Sequence, residues 1–149
     1  MILLIKNGQV INPATQTNEV LDLLVEDGKV KEMAAGITKQ ADRVIDAKGC
    51  YVMPGFIDMH VHLRDPGFED KETIETGCRA AAHGGYTTIL AMPNTKPVVD
   101  NPDVVNYVHN KAKTVGLVNV LQVGAVTKGQ QGKELADIRG MYEAGIPAI

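Results

Sequence analysis

The sequence predicts an α/β fold: a small sheet through about residue 53, then parallel strand–helix units over residues 54–149. Three observations carry that expectation. Short β-rich runs in the first third are punctuated by Asn-Gly, Asp-Gly and Lys-Gly turn pairs. From Met53 onward, strand-like runs alternate with runs of helical period that have recognisable starts and stops. The first of those strands ends in His60-Val61-His62, where α/β proteins gather their polar chemistry.

In the first third, Ile2 to Lys6, Val10 to Ile11, Leu21 to Glu26, Lys29 to Met33 and Arg43 to Asp46 are candidate strands. Asn7-Gly8, Asp27-Gly28 and Lys48-Gly49 are turn signals between or after them. Asp27-Gly28 between LLVE and KVKEM is a strong signal for a two-residue hairpin. The apolar run Val52 to Met59 contains Pro54 and Gly55 and reads as a short buried strand entered through a turn. A helix is expected over about Asp70 to His83, with Ile74, Cys78 and Ala81 on one face and Gly84-Gly85 as its stop. Thr87 to Met92 is the next strand. A second helix follows, with Asn101 as N-cap and Pro102 at its first position, burying Val104, Val108, Ala112 and Val115 before Gly116. Val118 to Val126 reads as a third strand. About Glu134 to Ala144 reads as a third helix, with Leu135, Ile138 and Met141-Tyr142 inward. Ile146 to Ile149 begins a fourth strand. Three strand–helix units and the start of a fourth fall short of a closed eight-stranded barrel, which needs roughly 200 residues or more, so a fragment of a larger protein is expected.

Composition narrows the function classes. The 149 residues are 44% hydrophobic and 22% charged, ordinary for a soluble protein with a sizeable core. A net charge of −3 gives no electrostatic case for nucleic acid. Cys50 and Cys78 lack CxxC spacing and read as reduced core thiols. The apolar start at Met1 stops at Lys6, too short for a signal segment or membrane span, and a cytoplasmic location is the default expectation.

The chemistry concentrates in GFIDMHVHLRDPG, residues 55–67. Histidines at i and i+2 on an extended segment face one side, so His60 and His62 can reach a single ion, and imidazole suits zinc. The bland alternative is two solvated histidines at a β edge. Arg64 shares their face if the strand continues. A guanidinium beside a metal centre is electrostatically costly unless an anion lies between them, which suggests a gripped substrate carboxylate. The alternative is an Arg paired with Asp65, Glu69 or Asp70 at the surface. Asp58 is either an acceptor that fixes an imidazole tautomer or a cap on local backbone. Asn94, in the stiff AMPNTKP loop, can accept from a ring N–H and donate to a carboxylate, or can simply form a turn. His83 and His109 fall in helices and read as surface histidines.

The segment PGFIDMHVHLRDPG, residues 54–67, resembles the first barrel strand of the amidohydrolase superfamily. With KETIETG at 71–77, AAAHGGYTT at 80–88 and MPNT at 92–95, it closely resembles dihydroorotases of the longer bacterial type. The similarity runs over the whole chain. It implies a partial (β/α)8 (TIM-type) barrel over residues 54–149, preceded by the N-terminal part of a small β-sandwich domain over residues 1–53. It implies His60 and His62 as metal ligands, with Arg64, Asn94 and His62 in contact with substrate. The cofactor implied is Zn2+, one or two ions per site. The activity implied is reversible hydrolysis of (S)-dihydroorotate to N-carbamoyl-L-aspartate in pyrimidine synthesis.

The chemistry that goes with this resemblance is metal-assisted opening of a ring amide, with a carboxylate relaying the proton to the leaving nitrogen. Two histidines fall short of the three protein ligands usual for catalytic zinc. The resemblance implies that the remaining ligands, a bridging Lys-carbamate or Asp among them, and the general base lie beyond Ile149, and the 149 residues alone are expected to be inactive. A homodimer and an association with aspartate transcarbamoylase are the macromolecular partners the resemblance suggests. Three competing readings stand beside it: a hydantoinase- or allantoinase-like cyclic amidase, a non-catalytic partner of aspartate transcarbamoylase, and a metal-binding or folding module. Within the resemblance, Arg64 and Asn94 together are the combination that favours dihydroorotase over the hydantoinases and allantoinases.

Overall fold

The structure is a computed structural model describing all 149 residues, and the chain divides into two compact units, Met1–Pro54 and Gly55–Ile149. The first unit is a sheet built on one long strand. Strand β1 (Ile2–Asn12) pairs antiparallel with β2 (Thr17–Glu26), which pairs antiparallel with β3 (Lys29–Ala34). On its other side β1 pairs in parallel first with β4 (Arg43–Asp46) and then with β5 (Tyr51–Val52). Leu4, Leu24 and Ile37 form the core of this unit. Asp27 and Gly28 both have positive φ, 50° and 74°, and join Glu26 to Lys29 in the expected tight hairpin.

Asn7-Gly8 does not end a strand. It is a β-bulge inside β1: the register steps from Ile5 opposite Leu23 to Gly8 opposite Leu21, so Lys6 and Asn7 share one place in the ladder. Asn7 adopts φ 61°, and its N–H, lost to the ladder, donates to the buried Asp22 Oδ1 at 2.8 Å. Ile37 N–H donates to Asp22 Oδ2 at 2.9 Å, and Lys6 Nζ lies 3.4 Å from the same oxygen. The Asn7 N–H in particular, with Ile37 and Lys6 adding to it against the desolvation, holds the Asp22 carboxyl below its ordinary range.

The second unit carries three parallel strands in the order β6 (Phe56–Val61), β7 (Tyr86–Ala91) and β8 (Asn119–Gln122). Helix α1 (Ile74–His83) packs on β7, and α2 (Pro102–Val115) packs on α1 and β8. Leu63, Ile74, Cys78, Ile89, Val108 and Val120 make the core between helices and sheet. Asn101 caps α2 by accepting from Asp103 and Val104 N–H, and Gly116 closes it, as its sequence signals imply.

Several expected boundaries move, each for a local reason. Helix α1 starts at Ile74 and not at Asp70, because Thr73 and Thr76 form a reciprocal capping box there. The third strand stops at Gln122. Past Val123, whose N–H still reaches Ala91, Ala125 N–H donates to Val99 in the loop after β7. Helix α3 is only Ile138–Glu143, capped by Asp137. Before it, Leu135 bridges to Thr127 across a short turn, which leaves Leu135 65% exposed. Met141 is fully buried, but Tyr142 points outward and is 73% exposed. Residues 146–149 form no strand: Ile146 is buried against Met141, and Gly124 N–H donates to Ala148 O at 3.0 Å.

The expected buried strand Val52 to Met59 is split between the units. Its second half, β6, is a sheet edge paired only with β7, so Phe56, Ile57 and Met59 remain exposed. Cys50 is exposed and is not a core thiol, whereas Cys78 is buried and its pKa is raised by desolvation. No helix is long and apolar enough to cross a membrane.

Candidate functional site

The candidate residues lie at the end of β6 and on the loops that follow β6 and β7, at the carboxyl ends of parallel strands. His60 is the penultimate residue of β6 and His62 follows its end. Their rings sit edge to face with centroids 5.1 Å apart, so the i, i+2 spacing does bring them together. His60 N–H donates to Asp58 Oδ1 at 3.0 Å. Of the two roles considered for Asp58, it therefore performs the backbone cap.

Asn94 reaches the pair from the next loop. His62 Nδ1 and Asn94 Oδ1 are 2.8 Å apart, with the ring N–H donating to the amide oxygen. That bond fixes the tautomer: Nε2 of His62 carries the free lone pair, the form a metal ligand needs. It also leaves the Asn94 NH2 group free to donate. The two imidazoles therefore fit as part of a divalent-metal ligand set. No third His, Cys, Asp or Glu within residues 1–149 completes a three-ligand group.

Several contacts set the two loops in register. Met92 N–H donates to Val61 O and Lys96 N–H donates to Pro66 O, both at 2.9 Å. Gly67, at φ 94°, lies against Lys96 so closely that a Cβ there would sit 2.1 Å from the Lys96 carbonyl oxygen. The Asp65-Pro66 and Lys96-Pro97 peptide bonds are both cis. Thr95 is buried and donates its hydroxyl to Pro97 O.

Arg64 departs from the expected geometry. The strand ends at Val61, and Arg64 has φ 63°, so strand alternation does not place it on the histidine face. It is half-buried and makes no ion pair or hydrogen bond through its guanidinium. The acid beside it is already taken. Asp65 is 1% exposed, with Tyr107 Oη donating to its Oδ1 at 3.0 Å, Lys111 Nζ 2.7 Å from its Oδ2, and Ile74 N–H at 3.3 Å. Lys111 also donates to Tyr107 Oη at 3.1 Å. The Asp65 bond above all, and then the Tyr107 bond, raises the Lys111 pKa. Sequence reasoning missed this trio. Tyr107 and Lys111 stand at i, i+4 beside the buried Val104–Val108–Ala112 stripe of α2, a pattern that marks them only once Asp65 is known to face that helix.

His83 is exposed, but His109 is not a surface histidine. It is half-buried on α2 with Nε2 lacking any partner. Desolvation, with Lys113 adding to it and the Ala144 carbonyl opposing, holds its pKa below the usual imidazole range. It borders a concavity of about 590 Å³ between the end of α2 and the start of β8. That concavity lies at the amino-terminal end of the strands, opposite His62, and has no part in the candidate site.

The fold and site define a class: a β/α protein whose polar groups converge at the carboxyl ends of the first two strands of a parallel sheet. Solved structures share this fold. L-hydantoinase from Arthrobacter aurescens superposes with a TM-score of 0.82 at 32% identity, covering 98% of this chain and 32% of that one. Dihydropyrimidinase from Brevibacillus agri superposes with a TM-score of 0.71 at 28% identity, covering 97% of this chain and 30% of that one. A family profile described as dihydro-orotase-like matches residues 49–149, and the chain belongs to that family. Curated relatives agree. The dihydroorotase of Geobacter sulfurreducens is 55% identical over the whole of this chain, and that of Aquifex aeolicus 53% identical over 99% of it. The chain spans 35% of the length of each.

Proposed function

We propose that these residues supply the first part of a dihydroorotase active site, for reversible hydrolysis of (S)-dihydroorotate to N-carbamoyl-L-aspartate. The observation that carries the reading is the 2.8 Å bond between His62 Nδ1 and Asn94 Oδ1. It holds Nε2 of His62 ready for a divalent ion and leaves the Asn94 amide N–H groups free to donate to an anion. Identity above 50% to relatives named dihydroorotase supports the substrate. In this reading His60 and His62 hold zinc. The ion, once bound by the complete ligand set, supplies Lewis-acid polarisation of a ring carbonyl and a water acidified towards pKa ~7. Arg64 and Asn94 grip the exocyclic carboxylate and so orient the ring, which sets affinity and alignment more than the chemical barrier. Residues 54–149 form the opening units of a (β/α)8 barrel, residues 1–53 form part of a β-sandwich, and the enzyme works in the cytoplasm.

Two measurements in the intact enzyme test this. His60→Ala and His62→Ala each lower bound zinc and abolish turnover, and full zinc occupancy in the double variant would place the ligands elsewhere. Arg64→Lys raises KM for dihydroorotate about ten- to hundredfold, the effect of losing one bidentate charge-assisted contact. Unchanged Michaelis parameters would remove Arg64 from the site. The structural likeness to hydantoinases makes hydantoin the comparison substrate, and preferential turnover of hydantoin would overturn the assignment.

A further inference from the structure

We propose that Asp65, held by Tyr107 and Lys111 of α2, is a positioning residue that keeps Arg64 available to an external carboxylate. The inference rests on the reading of Arg64 as a substrate contact and deepens it. An arginine followed directly by an aspartate ordinarily meets a carboxylate of its own chain. Here both oxygens of that carboxylate are already engaged: Tyr107 Oη takes Oδ1, while Lys111 Nζ and Ile74 N–H take Oδ2. The side chain of Asp65 is completely buried and that of Lys111 is 40% exposed, so the pair forms at the inner end of the loop.

Two consequences follow from this arrangement. The Asp65 charge is neutralised by a lysine from a different element and does not compete for the guanidinium. In addition, the peptide carrying Arg64 is pinned on both sides, between buried Leu63 and buried Asp65, with the Arg64 carbonyl accepting from Phe68 N–H at 2.9 Å. That pinning maintains φ 63° at Arg64, a conformation in which few non-glycine residues rest without support. Buried Asp65, with the partly exposed Tyr107 and Lys111 that hold it, thus links α2 to substrate affinity without touching substrate.

The test is a double-mutant cycle in the intact, zinc-loaded enzyme with dihydroorotate as substrate. Lys111→Met frees the Asp65 carboxylate and raises KM about tenfold, with zinc content unchanged. Adding Asp65→Asn to Lys111→Met removes the competing charge and recovers part of that loss. Both effects vanish in an Arg64→Ala background, where no guanidinium remains to be captured. A destabilised but otherwise passive cluster would produce neither the recovery nor the dependence on Arg64. If Lys111→Met does not fold, Tyr107→Phe carries the same cycle with a smaller expected KM rise. Arg64→Ala raising KM while Lys111→Met and Tyr107→Phe leave it unchanged would overturn this inference alone. So would a KM rise that persists undiminished in Arg64→Ala. Arg64→Ala without effect would instead overturn the carboxylate reading beneath it, and this inference with it.

Discussion

Asp22 and Asp65 are buried carboxylates, one in each compact unit, and each is paired with a single lysine and at least one backbone N–H. They differ in what else they hold. Asp22 takes two backbone N–H groups, from Asn7 and Ile37, and so fixes the path of the chain through a bulge. Asp65 takes mainly side chains from a helix more than forty positions away in sequence, and stands next to the one arginine of the candidate site. A carboxylate satisfied by backbone serves the fold. A carboxylate satisfied by side chains can be adjusted without rebuilding the backbone, which suits a loop that must aim a neighbour.

The contrast can be broken most severely at Asp22. Asp22→Ala strands the buried Ile37 N–H and the partly buried Asn7 N–H and is expected to cost about 3 kcal/mol of stability, read from urea unfolding of the intact protein. KM for dihydroorotate should be unaffected in the fraction that remains folded. A KM rise comparable to that expected for Lys111→Met would erase the distinction. The pH dependence has a definite sign. The folded Asp22 carboxyl lies below its ordinary value of 3.8, so its contribution is complete above that pH and lost as the pH falls through the lower folded value. The gap in stability between the protein and Asp22→Asn should therefore close in that acid range.

Asn94 sharpens the other side of the comparison. Asn94→Ala removes the acceptor that sets the His62 tautomer and is expected to weaken zinc binding or turnover about ten- to hundredfold with little change in melting temperature. A large loss of stability with normal zinc affinity would make Asn94 a turn residue only. The smallest effect is expected at His109, which pairs with neither carboxylate. Its folded pKa lies below the ordinary 6.5, so stability is complete above pH 6.5 and declines as the pH falls towards the folded value. Melting temperatures between pH 7 and pH 5 should fall less steeply in His109→Gln than in the unmodified protein. Equal slopes would show that His109 protonates freely.

Signals that act within a few residues were legible in the sequence. The Asp27-Gly28 hairpin, the Asn101-Pro102 helix start and the His60, His62 pairing depend on spacing alone, and the structure places each as expected. Asn7-Gly8 misled because the dipeptide that closes a hairpin also suits a bulge. The choice was made by Asp22, fifteen residues on. Arg64 misled because strand alternation was carried three residues beyond Val61, where β6 stops. Leu135 and Tyr142 were assigned inward by helical period, but α3 spans only six residues, too short for a period to define a face. The Asp65–Tyr107–Lys111 cluster was illegible because its members meet only after α2 has packed.

Gly67 and Lys96 touch so closely that no side chain fits between them, and Lys96 N–H is bound to Pro66 O across the same seam. Inserting or deleting a residue in either loop would slide one edge of that seam past the other and pull His62 away from Asn94. The two loops must therefore change length together over evolutionary time. An engineer exchanging them between relatives would have to transplant the pair as a single cassette.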